Sequence, residues 1–268
     1  KCCSIWQEKA LVGKLLKRQL NQEMRLNIHI VDLRKVKDES QQFALFERLR
    51  SDKVDVALVK AHTFLGEFAS NNPEDLYIEI VDGNIGEGTI KGKVIELQLP
   101  QREQAIADMR RFIEVRLVGI PENEKNRRVE EIVIALTAST ALHEGVHGLL
   151  DSRPDSKFAS GLEKVSGFSN EGGRDSTLLD EGIAYAIQGI YAPDVEPLGS
   201  LVPVAKDTDE ESVRQRKVLG EKLRKIIKMY IDAGKSIDIN FFEKATRIMG
   251  EMIRKYVSGD MVGKLLKR

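Results

Sequence analysis

Apolar, β-rich runs broken by polar positions, RLNIHIVDL (25–33), KVDVALV (53–59), LYIEIVDG (76–83) and GKVIELQLP (92–100), read as strands separated by helical segments. Between the first two, ESQQFALFERLRS follows a helical period, and HTFLGEFAS (62–70) suggests another helix. The glycine and asparagine density of DGNIGEG (82–88) predicts a turn, which would join the last two strands as a hairpin. QREQAIADMRRFIEVRL (101–117) predicts a helix, with Pro121 closing the connection after it. A long helix should run from about Asn126 to Leu150 and end before Pro154. The Ser-, Gly- and Asp-rich stretch 152–175 predicts a loop, 177–190 a shorter helix, and the proline-bearing 191–207 a connection. Two amphipathic helices, near 209–233 and 239–257, finish the chain, and a short basic one is expected over 4–20.

Strands mixed with helices first, then helices alone, is an α+β layout with a mixed sheet and a mainly helical C-terminal part. The natural division falls into 1–155 and 156–268. At 268 residues the chain is long enough to bury a sizeable core.

Charge adds a polarity to this layout. Basic and acidic side chains balance at 42 each, so no overall field favours nucleic acid or an anionic membrane. Residues 21–200 nevertheless carry 21 basic and 31 acidic groups, leaving an acidic body between basic ends. That suits packing of the termini onto the body, or cation binding. For the basic helix at 4–20, packing on the domain is the simpler reading than membrane binding. VGKLLKR occurs twice, at 12–18 and 262–268, and has no physical account beyond two similar basic helices.

The only cysteines, Cys2 and Cys3, are adjacent and poorly placed to bridge each other. No apolar run approaches a membrane span, and no charged-then-apolar leader opens the sequence. These features lean towards a reducing, cytoplasmic setting, while the start at Lys1 leaves room for a removed leader.

The chemistry concentrates in HEGVH (143–147). Positions i and i+4 of a helix share a face, so His143 and His147 can aim imidazole nitrogens at one point. Glu144 sits about a hundred degrees round the same helix, where it can take a proton from zinc-bound water. Ile132, Leu136 and Thr140 continue the histidine stripe towards the interior. Gly145 and Gly148 each cost a helix roughly 1 kcal/mol relative to alanine, which close approach of another segment would explain, as would chance. The pattern alone fits either a zinc site or an ordinary helix, so a third ligand decides.

No histidine follows His147, so a downstream ligand must be a carboxylate. STLLDEGIAYAIQGIY (176–191) offers Glu181, with Thr177 and Asp180 in capping-box spacing before it. Gly182 and Ala184 would let this helix approach the long one, and Ile183 and Ile187 give it a face to bury. Two histidines, a glutamate and an open fourth position make a catalytic zinc site.

HEGVH followed by DEGIAYAI resembles the gluzincin, or thermolysin-like, branch of zinc metallopeptidases. The resemblance implies a zincin-like fold, His143, His147 and Glu181 as zinc ligands, and Glu144 as general base. It also implies that extended substrate pairs with a sheet edge near the metal; VIELQLP (94–100) is the candidate strand, though it equally fits the sheet interior. The family's aspartate four residues after the glutamate ligand is Tyr185 here, which leaves Asp180 and Asp151 as candidates to support a histidine. The transition-state donor would fall to Tyr185, Tyr191, Tyr230 or Tyr256.

Other signals are weaker. His29 suits a sheet face, and His62 a cap or surface position. DTDEES (207–212) suits a helix start. The sequence thus points to a zinc-dependent peptidase acting on a peptide or protein, without nucleic acid or a membrane span. A catalytically silent gluzincin-like binding or regulatory protein is the alternative, and a metal-free helical interaction protein a third.

Overall fold

The strand expected at 53–59 is a helix, and that correction sets the architecture. Val54, Ala57, Leu58, Ala61, Phe64 and Leu65 are buried while Val56 and Val59 face solvent, a spacing that only a helix can satisfy. The alternation of valines in VDVALV imitates a strand, but the burial continues in helical register into AHTFL. The computed structural model describes residues 26–34, 54–69, 75–91, 94–151, 153, 155–166, 174–192 and 210–256. The basic segment 4–20, the helical pattern after the first strand, both VGKLLKR segments and the first half of DTDEES lie outside them.

Among the described residues, four strands form one mixed sheet: β1 (Asn27–Asp32), β2 (Asp75–Val81), β3 (Gly88–Lys91) and β4 (Val94–Gln98), in the order β1-β2-β4-β3. β1 and β2 are parallel, as are β2 and β4, with Ile78 opposite both Ile30 and Ile95. β3 runs antiparallel to β4, pairing Gly88 with Leu97 and Lys91 with Val94. The hairpin expected between 76–83 and 92–100 is therefore replaced by a parallel pairing. The hairpin partner of β4 is GTIK, a strand hidden behind a glycine-rich turn. VIELQ consequently lies inside the sheet, and among the described strands β3 forms the edge beyond it, with β1 at the opposite edge.

The helices are α1 (Val54–Leu65), α2 (Arg102–Ile113), α3 (Glu122–Leu149), α4 (Lys157–Ser166), α5 (Arg174–Tyr191), α6 (Glu210–Asp232) and α7 (Ile239–Tyr256). α4 occupies the middle of the stretch expected to be a loop. Its serines and Gly161 weaken the pattern, yet Phe158, Ala159 and Leu162 are buried. Gly161 keeps that approach open: a Cβ there would come 3.1 Å from the Phe242 ring of α7, a tight contact.

α3 is the spine. Its first turns, ENEKNRR, are charged and largely exposed; from Val133 onward most positions are buried. The cause is position: α3 contacts β2, β3 and β4, and also α1 and α5. Thr137 and Thr140 satisfy their hydroxyls on the carbonyls of Val133 and Leu136, one turn back. Leu76, Ile78, Ile80, Ile95 and Leu97 form the sheet's buried face, and one continuous core joins them to α5, α6 and α7 through α3. The observed class is α+β, with a small mixed sheet and mostly helix. No helix among the described residues is long and apolar enough to cross a membrane.

α5 and α6 lie side by side and run the same way. Glu181 meets Arg216, Tyr185 meets Gly220 and Gly189 meets Arg224, a constant offset of 35 residues. A Cβ on Gly220 would fall 2.5 Å from that of Tyr185, and one on Gly182 2.8 Å from the Leu219 side chain. Gly182 thus admits α6, rather than the long helix as expected.

Candidate metal centre

Two helices build the centre. α3 contributes His143, Glu144 and His147; α5 contributes Asp180, Glu181 and Tyr185. The helices are tied by packing of Ile183 and Ile187 in the core and by a 2.5 Å hydrogen bond from Gln188 Nε2 to the buried Ser139 Oγ.

The glycines of HEGVHG serve close approach, as their placement suggested. A Cβ on Gly145 would overlap Leu58 of α1, and one on Gly148 would overlap Ile90 of β3. β3 also presses on the histidine face itself: a Cβ on Gly88 would lie 2.7 Å from Glu144 Cγ and 3.0 Å from Thr140 Cγ2. Glu144 therefore sits beneath the first residue of the sheet's edge strand.

The imidazoles converge. His143 Nε2 and His147 Nε2 are 3.1 Å apart, and Glu181 Oε2 lies 3.6 Å from the first and 4.0 Å from the second. Among the described residues, His143, His147 and Glu181 form the group of possible ligands whose donor atoms lie within 4.8 Å of one another. Ligand atoms held 2.0–2.1 Å from a tetrahedral zinc are themselves about 3.3 Å apart, so the observed separations bracket that spacing. The three residues can hold a metal ion.

Asp180 stands behind the pair. It accepts a hydrogen bond from His147 Nδ1 at 2.7 Å, which leaves the Nε2 lone pair facing the centre. This replaces the capping role expected of it: α5 already begins at Arg174, so Thr177 and Asp180 lie inside the helix. Asp151, the other candidate, is engaged instead by Arg153 at 2.9 Å. Among the described residues His143 has no equivalent support, and its buried Nδ1 finds no hydrogen-bond partner there. Against its ring lies Tyr185, with centroids 4.5 Å apart and planes tilted by 54°.

The electrostatics follow from the packing. Burial pulls the His147 pKa down, but the bond to Asp180 and the charges of Asp180, Glu181 and Glu144 raise it by more, leaving it above the ordinary 6.5. Burial raises the Glu181 carboxyl, and its contacts with His143, His147 and Arg216 outweigh this and hold it low. Tyr185 is pushed up to about 12, chiefly by burial and then by Glu181, so its hydroxyl keeps its proton.

Other residues singled out in the sequence lie elsewhere. His29 pairs with Asp75 at 2.8 Å and stacks on Tyr77 on the exposed sheet face. His62 is neither cap nor surface: it is buried within α1, and burial lowers its pKa. The Tyr230 hydroxyl bonds Asp238 at 3.3 Å, and the buried Tyr191 hydroxyl has no partner among the described residues, with Lys60 over its ring. The Tyr256 side chain is outside the described residues. Tyr185 alone of the candidates described joins the centre.

Two participants were not expected from the sequence. Gly88 carries the edge strand onto Glu144, and its only trace is a glycine at the end of an apparent turn. Arg216 of α6 donates from Nη1 to Glu181 Oε1 at 2.9 Å. Its only trace is Gly220, one turn further along the same face. Comparison with protein-family models, with curated proteins and with solved structures returned no match.

Proposed function

We propose that the protein is a zinc-dependent metallopeptidase of gluzincin type. The observation that carries this reading is the meeting of His143 Nε2, His147 Nε2 and Glu181 Oε2 from two helices, with Glu144 beside them and Asp180 behind. Two imidazoles and one carboxylate suit zinc among the common divalent ions, and three protein ligands leave a position open. Bound there, zinc would act as a Lewis acid that makes water nucleophilic near neutral pH and polarises a scissile carbonyl.

The chain's own groups supply the rest. Glu144 takes the proton of the attacking water and delivers it to the departing amine nitrogen. Tyr185, still protonated, donates a hydrogen bond to the oxyanion that develops on the carbonyl. Asp180 holds His147 in the tautomer that a ligand needs. The edge of β3, unpaired among the described strands, offers backbone groups to an extended peptide next to Glu144. The substrate is then a peptide or protein in extended form.

Zinc stoichiometry and digestion of a broad peptide library, on the natural protein and Glu144→Gln, test the reading. One zinc in each, with cleavage only by the natural protein, is the expected result. Zinc without cleavage by either would indicate a silent binding protein. Absence of zinc from both would remove the metal reading.

A further inference from the structure

Glu181 is gripped from both sides. Its Oε2 faces the two histidine nitrogens, at 3.6 and 4.0 Å, while its Oε1 accepts from Arg216 Nη1 at 2.9 Å. Arg216 belongs to neither ligand-bearing helix. It reaches the carboxylate because α6 runs parallel to α5 at a fixed offset, brought close where Gly220 meets Tyr185 and Gly182 meets Leu219. Glu181 is only 17% exposed and Arg216 33%, so water competes weakly for either group.

We propose, building on the zinc reading above, that Arg216 is a positioning residue that restricts Glu181 to metal binding through Oε2 alone. A carboxylate can also bind a metal through both oxygens, and that would fill the position which a hydrolytic site must keep open. To do so here, Glu181 would have to turn Oε1 away from a guanidinium already hydrogen-bonded to it, leaving a partly buried cation without its anion. Arg216 also draws negative charge from the ligand, so the metal keeps more of its Lewis acidity. An ammonium can supply the charge and one hydrogen bond at this place; an uncharged side chain cannot.

Coordination number is the readout. The full chain is loaded with Co2+ in place of zinc and its visible absorption recorded for the natural protein, Arg216→Met and Arg216→Lys. Far-ultraviolet circular dichroism checks that each is folded. The natural protein should show the intense band of a four-coordinate ion; Arg216→Met should lose it as Glu181 becomes bidentate, and Arg216→Lys should retain it. A four-coordinate spectrum in Arg216→Met, or loss of the band in both variants alike, overturns the role of Arg216 while leaving the zinc reading intact. If the natural protein binds no Co2+, the metal reading falls and this inference with it. Should Arg216→Met fail to fold, X-ray absorption at the zinc edge of the natural protein decides: one short carboxylate oxygen supports the proposal, and two overturn it.

Discussion

Asp180 accepts a hydrogen bond from His147 Nδ1 at 2.7 Å across the α3–α5 interface, one residue before the glutamate that faces the same histidine's other nitrogen. The two adjacent acids therefore divide the labour: one orients the ring and the other joins it at the centre. Removing such a partner typically costs 10–100-fold in metal affinity. Asp180→Ala should weaken zinc binding by about that factor, measured by competition with a chelator of known affinity, with the fold unchanged.

The same pair sets a pH dependence. The His147 pKa in the folded, metal-free protein lies above 6.5, its value in an ordinary unfolded environment. Protonated His147 thus adds stability in full below pH 6.5, and the contribution is lost as pH rises through the folded value. Metal binding needs the neutral ring. Zinc affinity should therefore begin to fall, on acidification, at a higher pH than an ordinary histidine would give. Chelator competition across about pH 5 to 8, the range where histidine titrates, should show this midpoint moving down in Asp180→Ala.

Gly88 tests the link between the sheet edge and the base. A methyl group there would stand 2.7 Å from Glu144 Cγ and 3.0 Å from Thr140 Cγ2, so the carboxylate must shift. Misplacing a reacting group by an ångström can cost on the order of 10²-fold in rate. Gly88→Ala should lower kcat by about that factor while zinc stoichiometry, fixed by residues on the helices, stays at that of the natural protein.

How much of this was legible in the chain depends on the range of each interaction. The histidine pair and its base are local, set by helical period within five residues, and the sequence displays them directly. Glu181 was reachable because a two-histidine site lacks a third ligand and DEGIAYAI offers a carboxylate in the setting that the gluzincin resemblance implies. Asp180 reads both as part of a capping box and, beside Asp151, as a candidate to support a histidine, because only packing decides whether an acid caps its own helix or crosses to another. VDVALV misled because β-branched residues at alternate positions imitate a strand until the burial of Phe64 and Leu65 extends the helical register. GTIK is too short, and too close to glycines, to announce a strand. Arg216 was invisible for a plainer reason. Its partner lies 35 residues away, on a helix whose parallel course nothing local dictates.

Tyr185 separates a chemical role from a packing role. Its pKa of about 12 means that the hydroxyl stays protonated across the working range. Loss of one oxyanion donor costs about 10²–10³-fold in kcat. Tyr185→Phe keeps the ring against His143, so kcat should fall by roughly that factor with KM little changed. A rise in KM at constant kcat would assign the ring to substrate packing instead, as steady-state kinetics on a cleaved peptide would reveal.

The most direct test is an anomalous difference map at the zinc edge from crystals of metal-replete protein. The expected result is a single peak about 2.0–2.2 Å from His143 Nε2, His147 Nε2 and Glu181 Oε2 together. A map with no peak at that point, or with the Glu181 carboxylate turned away from the histidines, would contradict the account.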